Sequence, residues 1–397
     1  MAKTIYLDNN ATTAVAPEVR EALAPFLAEW YGNPSSIHTF GGRVARYVDE
    51  ARERLAGLLG ADPSEIIFTS CGTESDNTAI RSALACYPDR RHIVTTRVEH
   101  PAVRNLCQVL AQGGPGRPNY RLTELPVDRQ GMLNLKEFES VLSDDTALVS
   151  IMWANNETGV LFPVEAIGAA CRKRGVLFHT DAVQAVGKVP INLAELPIDM
   201  LSLSGHKLHA PKGIGALYVR RGTRFSPYLV GGHQENNRRG GTEAVPLIVA
   251  LGQAAELAKQ RMAEEQTRVR ALRDRLERAL LESAPGAILN GHPTERLPNT
   301  SNISFEFVEG EAILLMLDQH GICASSGSAC TTGSLEPSHV LRAMGVPFTA
   351  AHGSIRFSLS VYNTQEEIDT VVKVLPPIIR RLREISPFGR EKLAAAR

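Results

Sequence analysis

The chain has 397 residues, of which 43% are hydrophobic and 22% are charged, a composition typical of an ordinary globular protein. At roughly 150 residues per domain, this length predicts two domains. Lysine plus arginine equals aspartate plus glutamate at 43 each, so the charge balance speaks against nucleic acid and anionic membranes as partners.

The N-terminal residues lack an apolar signal-peptide core, and no run approaches the ~20 apolar residues of a membrane span. We therefore expect a cytoplasmic protein. The cysteines are scattered and form neither a disulfide framework nor a CxxC pair of the zinc-binding kind. Any cysteine with a chemical role should act as a free thiol; the six are Cys71, Cys86, Cys107, Cys171, Cys323 and Cys330.

The first half of the chain alternates between helical and strand patterns. Helices are predicted over 17–30 and 43–59, the first opened by Pro17 and the second with an apolar face at helical spacing. Strands and helices then alternate, with strands predicted at 66–68, 93–94 and 147–152 and before Asp181 and Lys207, and helices at 73–85, 102–111 and 163–174. Such alternation predicts an α/β domain with a mostly parallel sheet flanked by helices.

The pattern changes after Thr242. A helical stretch to about residue 283 is long enough to connect two domains. Beyond it the sequence predicts strands at 302–307 and 355–361, a helix at 310–320 and a loop to 332. The last helix begins at Thr364, with Glu367 as its capping-box partner. This part is expected to be a smaller α+β domain.

A lysine lies where a buried strand opens into a polar turn, in the sequence SLSGHKLHAPKG at residues 202–213. Lys207 there could be a desolvated amine that forms a Schiff base with an aldehyde cofactor such as pyridoxal 5'-phosphate. A surface lysine is the alternative for such a short motif. The preceding strand ends at Asp181, a carboxylate suited to hold a pyridine nitrogen protonated. The two residues together favour a cofactor site.

Other polar residues follow strands in the same way. Gly72 and Thr73 open a helix whose free N–H groups could hold a phosphate, or Thr73 could simply cap that helix with Asp76 as its partner. His100 could stack on a cofactor ring and exchange protons, or be a structural histidine. Asn155 could bind a cofactor oxygen or a substrate carboxylate, or make a turn.

Three further segments carry candidate groups. Cys330 lies among small residues at 325–334, either as an accessible nucleophile or as an incidental cysteine in a linker. Arg356 sits inside an apolar strand, where it could bind an amino-acid carboxylate or form an internal salt bridge. Arg238, Arg239 and Thr242 could reach a phosphate across a subunit boundary, or belong to a solvated basic loop.

Taken together, these motifs resemble the class-V, fold-type-I aminotransferase family and, within it, the cysteine desulfurases of the NifS/IscS type. The resemblance runs from YLDNNATT at residues 6–13 to EEID at 366–369. SGHK at 204–207, and the segment 325–330 with LEPS at 335–338, are specific for the desulfurases. WANNETG at 153–159 and LHAPKG at 208–213 resemble the nitrogenase-associated NifS branch.

The resemblance implies that Lys207 is the Schiff-base lysine and that Cys330 accepts sulfur from L-cysteine, with alanine as product. It further implies a homodimer that passes the sulfur to an iron–sulfur scaffold protein, and Cys330 as a transient iron–sulfur ligand through its persulfide. By the same resemblance, Asp181 would hold the pyridine nitrogen of the cofactor, His100 would lie over its ring, and Gln184 and Asn155 would lie near the ring oxygen. The phosphate would be held by Gly72, Thr73, Ser204, His206 and the second subunit's Thr242. Arg356 would bind the substrate carboxylate together with Asn155.

The expected domains are an N-terminal segment (1–15) packing on the small domain, a large cofactor-binding domain (16–258) and a small domain (259–397) carrying the nucleophile loop (322–334). Three alternatives to a desulfurase remain open. They are a class-V aminotransferase or lyase that uses Lys207 and Asp181 but no thiol, a selenocysteine lyase, and a catalytically silent sulfur carrier or assembly subunit.

Overall fold

The computed structural model describes residues 4–114, 118–326 and 337–386. In chain order its strands are β1 (Ile5–Tyr6), β2 (Ile66–Thr69), β3 (His92–Thr96), β4 (Arg121–Leu125), β5 (Thr146–Ser150), β6 (Leu177–Asp181), β7 (Met200–Ser204), β8 (Gly215–Val219), β9 (Ala287–Asn290), β10 (Thr300–Phe305), β11 (Ile322–Cys323) and β12 (Ser354–Ser358). Its helices are α1 (Pro17–Leu23), α2 (Pro25–Ala28), α3 (Thr39–Leu59), α4 (Gly72–Cys86), α5 (Pro101–Gln112), α6 (Leu135–Val141), α7 (Val164–Lys173), the short turn α8 (Gln234–Asn237), α9 (Val245–Glu264), α10 (Arg270–Ser283), α11 (Gly310–Asp318), α12 (His339–Ala343), α13 (Phe348–Ala351) and α14 (Gln365–Ile385).

A seven-stranded sheet forms the centre of the molecule, in the order β2-β8-β7-β6-β5-β3-β4. Six of its seven strands point in the same direction, and β8 runs opposite to them, pairing antiparallel with both β2 and β7. Every residue of β5, β6 and β7 is buried, as expected for parallel strands covered by helices on both faces. The predicted α/β fold class, a mostly parallel sheet flanked by helices, is confirmed.

A separate hydrophobic core joins the two ends of the chain. Ile5 and Leu7 pack with apolar residues from α10, α11, β10, β12 and α14. β10 lies between β9 and β12 in an antiparallel sheet, and β1 pairs parallel with β11. The predicted capping box is present, since Thr364 accepts from the Glu367 N–H and the Glu367 carboxylate accepts from the Thr364 N–H.

Several elements differ from the sequence prediction. The helix predicted over 17–30 is divided into α1 and α2 at Pro25, which has no N–H to continue the hydrogen-bond ladder. The helix predicted at 43 begins earlier, at Thr39. β4, β8, β9 and α6 were not predicted. The single long helix predicted to connect the two domains is divided into α9 and α10 by a π-helical segment, Glu265–Val269.

In the part of the chain that the structure describes, no helix has both the length and the apolar character needed to cross a bilayer.

Candidate active site

Most of the side chains predicted to bind a cofactor meet in one cavity of about 320 Å³. It opens where β3, β6 and β7 end, the edge at which ligands bind in open α/β sheets. It is lined by Asn10, Ala11, Cys71, Gly72, Thr73, Asp76, His100, Met152, Ala154, Asn156, Asp181, Val183, Gln184, Ser204, His206, Lys207 and Arg356.

Lys207 ends a single 3₁₀ turn that follows β7. Its Nζ atom donates to the carbonyl oxygens of Asn10 at 2.5 Å and Ala11 at 2.6 Å. Burial lowers the lysine pKa to about 7, and the positive charges of Arg356 and Lys188 act in the same direction. The amine is therefore available in its neutral, nucleophilic form close to physiological pH.

Asp181 is the last residue of β6, next to β7 in the sheet. Its Oδ1 accepts from the Val183 N–H at 2.9 Å, which fixes the carboxylate in the cavity. Burial raises the Asp181 pKa, while the neighbouring His100 and Lys207 oppose that shift. A proton donor or a cation placed in the cavity would stabilise the ionised carboxylate.

His100 serves two purposes. It is the N-cap of α5, because its Nδ1 accepts from the Ala102 N–H at 3.2 Å, and its ring also lines the cavity. Burial lowers the pKa of His100, so the neutral ring is favoured. The structural and the functional interpretations of this histidine are thus compatible.

The start of α4 forms one wall of the cavity. Gly72 approaches the neighbouring chain so closely that an added Cβ would lie 2.9 Å from Val183 Cγ2. Cys71, not Thr73, is the N-cap, since its Sγ accepts from the Glu74 N–H. Thr73 therefore does not cap α4, which was the alternative to phosphate binding for this residue. The predicted partner Asp76 instead lies buried in the cavity wall.

Four buried polar atoms of the cavity-lining residues have no hydrogen-bond partner among the described residues. They are the Asp76 Oδ1, the Gln184 Oε1, the Ser204 Oγ and the Arg356 Nε. The Gln184 amide donates to the Asn10 carbonyl at 3.0 Å, while His206 contacts the Thr12 hydroxyl. Since buried polar groups are normally satisfied, these atoms indicate a site shaped for a polar ligand.

Arg356 lies in the middle of β12 and reaches the same cavity. Its Nη2 donates to Asp8 Oδ1 at 2.8 Å and its Nη1 to the Asn156 carbonyl at 3.0 Å. The internal salt bridge given as the alternative is therefore present. Its Nε is buried without a partner among the described residues, so donor capacity remains for a carboxylate.

Three predicted residues are not in the cavity lining that the structure describes. Asn155 makes a turn, which was the alternative to ligand binding for this residue. Its Oδ1 accepts from the N–H groups of Glu157 and Thr158, and its Nδ2 donates to the Val98 carbonyl. Thr242 lines a separate cavity of about 140 Å³. Cys330 lies outside the described residues.

The sequence matches the family described as Aminotransferase class-V over residues 5–371, most of the chain. The chain belongs to the class-V aminotransferase family. It is 62% identical to "Cysteine desulfurase 2" of Trichormus variabilis (strain ATCC 29413 / PCC 7937) over 388 residues, which cover 98% of this chain and 96% of that protein. It is 59% identical to "Cysteine desulfurase NifS" of Azotobacter vinelandii over 385 residues, 97% of this chain and 94% of that one.

Solved structures similar to this chain have the same fold. A structure titled "NIFS-LIKE PROTEIN" superposes with a TM-score of 0.89 at 39% identity, covering 96% of this chain and all of that chain. A structure titled "SspA in complex with cysteine" superposes with a TM-score of 0.79 at 34% identity, covering 91% of this chain and all of that chain. The resemblance stated from the sequence motifs is confirmed.

Three residues of the cavity region were not predicted from the sequence, because they lie far along the chain from the residues they contact. The carbonyls of Asn10 and Ala11 receive the Lys207 amine, and Asp8 pairs with Arg356. All three lie in the motif YLDNNATT, which carried the family resemblance but gave no local signal of a role in the site.

The cavity fits the cofactor predicted from the sequence. The first N–H groups of α4, the Thr73 and Ser204 hydroxyls and the close approach at Gly72 would suit a phosphate. A neutral amine at Lys207 and a fixed carboxylate at Asp181 complete the set that an aldehyde cofactor with a pyridine ring requires. Among the described residues there is no cluster of three or more His, Cys, Asp or Glu side chains that could hold a metal ion.

Proposed function

We propose that this protein is a pyridoxal-phosphate-dependent cysteine desulfurase, which converts L-cysteine to L-alanine and transfers the sulfur to an enzyme cysteine. The observation that carries the proposal is the meeting of Lys207, Asp181 and Arg356 in one cavity. The high identity to proteins named cysteine desulfurase over nearly the whole chain supports the choice of substrate.

Each of these residues has a task that its surroundings explain. When bound, pyridoxal phosphate supplies an electron sink that weakens bonds to the α-carbon of an amino acid. Asp181 would hold the pyridine nitrogen in its protonated form, and Arg356 would orient the substrate carboxylate. Lys207, with its pKa near 7, would remove the substrate α-proton and return a proton later in the reaction.

Gly72, Thr73, Ser204 and His206 would hold the phosphate, and His100 and Gln184 would contact the ring. We assign Asn155 no direct contact in this proposal, because its described hydrogen bonds serve the turn it makes.

Sulfur transfer requires a thiol, and we assign it to Cys330. The Cys330 thiolate attacks the sulfur of the substrate, the carbon–sulfur bond breaks, and the bond electrons and a proton form the methyl group of alanine. Cys330 is left as a persulfide, so atoms and electrons balance without an added oxidant or reductant. The persulfide would serve iron–sulfur cluster assembly, with a scaffold protein as acceptor and Cys330 as a transient iron–sulfur ligand.

The assembly we propose is a homodimer in which each subunit's Thr242 completes the partner's phosphate site. Two observations support it. Thr242 lies outside the cofactor cavity of its own chain, and large apolar side chains such as Ile37 and Val230 are exposed.

We also propose a division into a large domain at 16–258 and a small domain at 259–397, with the segment 1–15 packed on the small domain. The separate core that contains Ile5 and Leu7 supports this division. A cytoplasmic location and the nitrogenase-related pathway also remain part of the proposal.

The test is a turnover assay in which cysteine and a thiol reductant are supplied and sulfide and alanine are quantified together. Equal yields of the two products are expected from the wild type, and neither above background from the Cys330→Ser variant. Cys323→Ser is the matched control and should retain both products, because Cys323 pairs with the N-terminal strand β1.

Other outcomes would reject the assignment. Undiminished sulfide from the Cys330→Ser variant would exclude Cys330 as the acceptor. Alanine that forms only when a keto acid is added would indicate an aminotransferase, and release of selenium from selenocysteine in preference to sulfur from cysteine would indicate a selenocysteine lyase.

A further inference from the structure

Asp8 lies against Arg356, the arginine that we propose binds the substrate carboxylate. It follows β1, and the chain is fastened there to β12, since the Ser358 N–H donates to the Leu7 carbonyl at 2.8 Å and the Asn9 N–H to the Ser358 carbonyl at 3.1 Å. Arg356 lies two residues before Ser358 in β12. Both partners of the Asp8–Arg356 pair are thus fixed on paired backbones, and their 2.8 Å contact does not rely on a flexible loop.

The guanidinium is almost fully buried, whereas Asp8 is partly exposed: the side-chain exposures are 4% for Arg356 and 21% for Asp8. A buried guanidinium needs an anion close by, because an uncompensated buried charge is strongly destabilising. Asp8 meets this need when no substrate is bound. Among the described residues, Asp8 is the only carboxylate paired with Arg356.

Arg356 keeps donors in reserve despite this pair. Of its five N–H groups, one points to Asp8 and one to the Asn156 carbonyl, and the buried Nε has no partner in the described chain. A substrate carboxylate can therefore join the same guanidinium without displacing Asp8. It then becomes a second anion at one cation, and the repulsion between the two carboxylates weakens its binding.

We propose that Asp8 is a positioning and specificity residue, a resident counter-ion that holds the Arg356 guanidinium in the cavity and limits the affinity for the substrate carboxylate. The proposal rests on the proposed function, in which Arg356 binds that carboxylate. Its consequence is ready exchange of two amino-acid carboxylates, that of cysteine entering and that of alanine leaving, at a site that remains assembled between turnovers.

The experiment uses propionate as the probe, because it presents a carboxylate but no amine. Its inhibition constant against cysteine is measured for the wild type, Asp8→Asn, Asp8→Ala and the control Glu18→Gln, which removes a carboxylate paired with Arg261. The neutral analogue propionamide is measured in parallel. The same propionate titrations, followed by thermal unfolding, are run on the protein without cofactor, where no turnover is involved.

Asp8→Asn keeps a hydrogen-bond acceptor but removes the charge, so the propionate inhibition constant should fall about tenfold, as expected for loss of a unit charge a few ångström away. Propionate should also raise the unfolding temperature of the cofactor-free Asn variant more than that of the wild type. Asp8→Ala should bind propionate less tightly than Asp8→Asn because its guanidinium is not held. Propionamide inhibition and the Glu18→Gln variant should be unchanged.

Equal or weaker propionate binding by Asp8→Asn, in both forms of the protein, would overturn the proposal. Equal binding by the Ala and Asn variants would overturn its positioning part. Failure of the wild type to release sulfide from cysteine would instead reject the proposed function, and the cofactor-free titrations would still report on Asp8.

Discussion

The amine of Lys207 donates to the carbonyl oxygen of Asn10 at 2.5 Å, across 197 positions of the sequence. The N-terminal segment thereby places two carbonyl oxygens, those of Asn10 and Ala11, on the nitrogen that we assign to catalysis. Both carbonyls can accept from the amine but cannot donate to it, so they orient the nitrogen without adding a competing charge.

Lys207→Ala should reduce alanine formation by at least ~10²- to 10⁴-fold, because the proton-transfer group is removed. Lys212→Ala, five positions further along the chain, is the control and should retain the activity. Borohydride treatment followed by peptide mass mapping provides an independent measurement. The cofactor should become attached to the peptide with Lys207 in the wild type, and attachment at another lysine would contradict the assignment.

The lowered pKa of Lys207 predicts an unusual pH dependence. A lysine pKa of about 7 means that the amine is protonated below pH 7 and neutral above it, whereas an unperturbed lysine changes near pH 10.4. In the cofactor-free protein, acetylation of Lys207 by trace acetic anhydride should therefore rise through pH 7 and reach a plateau by about pH 8. A rise centred near pH 10 would show that burial does not depress this pKa.

Asp181→Asn should bind the cofactor but lose most turnover. The amide keeps the size of the side chain and removes the charge that favours a protonated pyridine nitrogen, so a loss of ~10²- to 10⁴-fold is expected. Cofactor content and alanine formation are measured on the same samples. Asp62→Asn, at an exposed ion pair with Arg221, is the control and should behave like the wild type.

Gly72→Ala should weaken cofactor binding because the new methyl group would meet Val183 Cγ2 at 2.9 Å. We expect the dissociation constant of pyridoxal phosphate to rise at least ~10-fold, which corresponds to about 1.4 kcal/mol. Gly42→Ala is the matched control, since Gly42 lies in α3 and an added Cβ has no atom within 4 Å. That variant should bind the cofactor normally and be as stable as the wild type or slightly more stable. Equal affinities for the two variants would contradict phosphate binding at the start of α4.

The ion pair between Arg52 and Glu235 should contribute strongly to stability. Its bidentate contacts measure 2.7 and 2.8 Å, and Glu235 also accepts from the Phe68 N–H. Glu235→Gln leaves a largely buried guanidinium without its anion, so the free energy of unfolding should fall by ~3–5 kcal/mol. Urea unfolding measures this change. Arg221→Ala breaks an exposed pair and should lower the free energy of unfolding far less. Similar losses for both variants would contradict the burial argument.

Much of the site could be predicted because local patterns mark the ends of buried strands. Asp181 and Lys207 follow short apolar runs, and His100 precedes a helix that opens with proline, so the convergence of parallel strand ends predicts their meeting. The same reasoning predicted the α/β fold. β8 was missed because a short apolar run in a glycine-rich region gives no periodicity that separates a strand from a loop.

The contacts that could not be predicted are long-range. Asp8 and Arg356 are separated by 348 positions, and no local pattern indicates that β1 and β12 bring them together. Arg356 could therefore be read either as a carboxylate receptor or as half of a salt bridge. The structure shows that the salt bridge is present and that unused donors remain, because a guanidinium has more N–H groups than one carboxylate can accept.

The most direct test of the central claim is a single incubation of the loaded enzyme with cysteine and no reductant. Alanine and the sulfur bound to each peptide are then measured together. We expect one alanine per active site in a rapid burst, followed by arrest, with the added sulfur on the peptide that contains Cys330. Continued alanine formation without added sulfur on that peptide, or no alanine at all, would contradict the central claim.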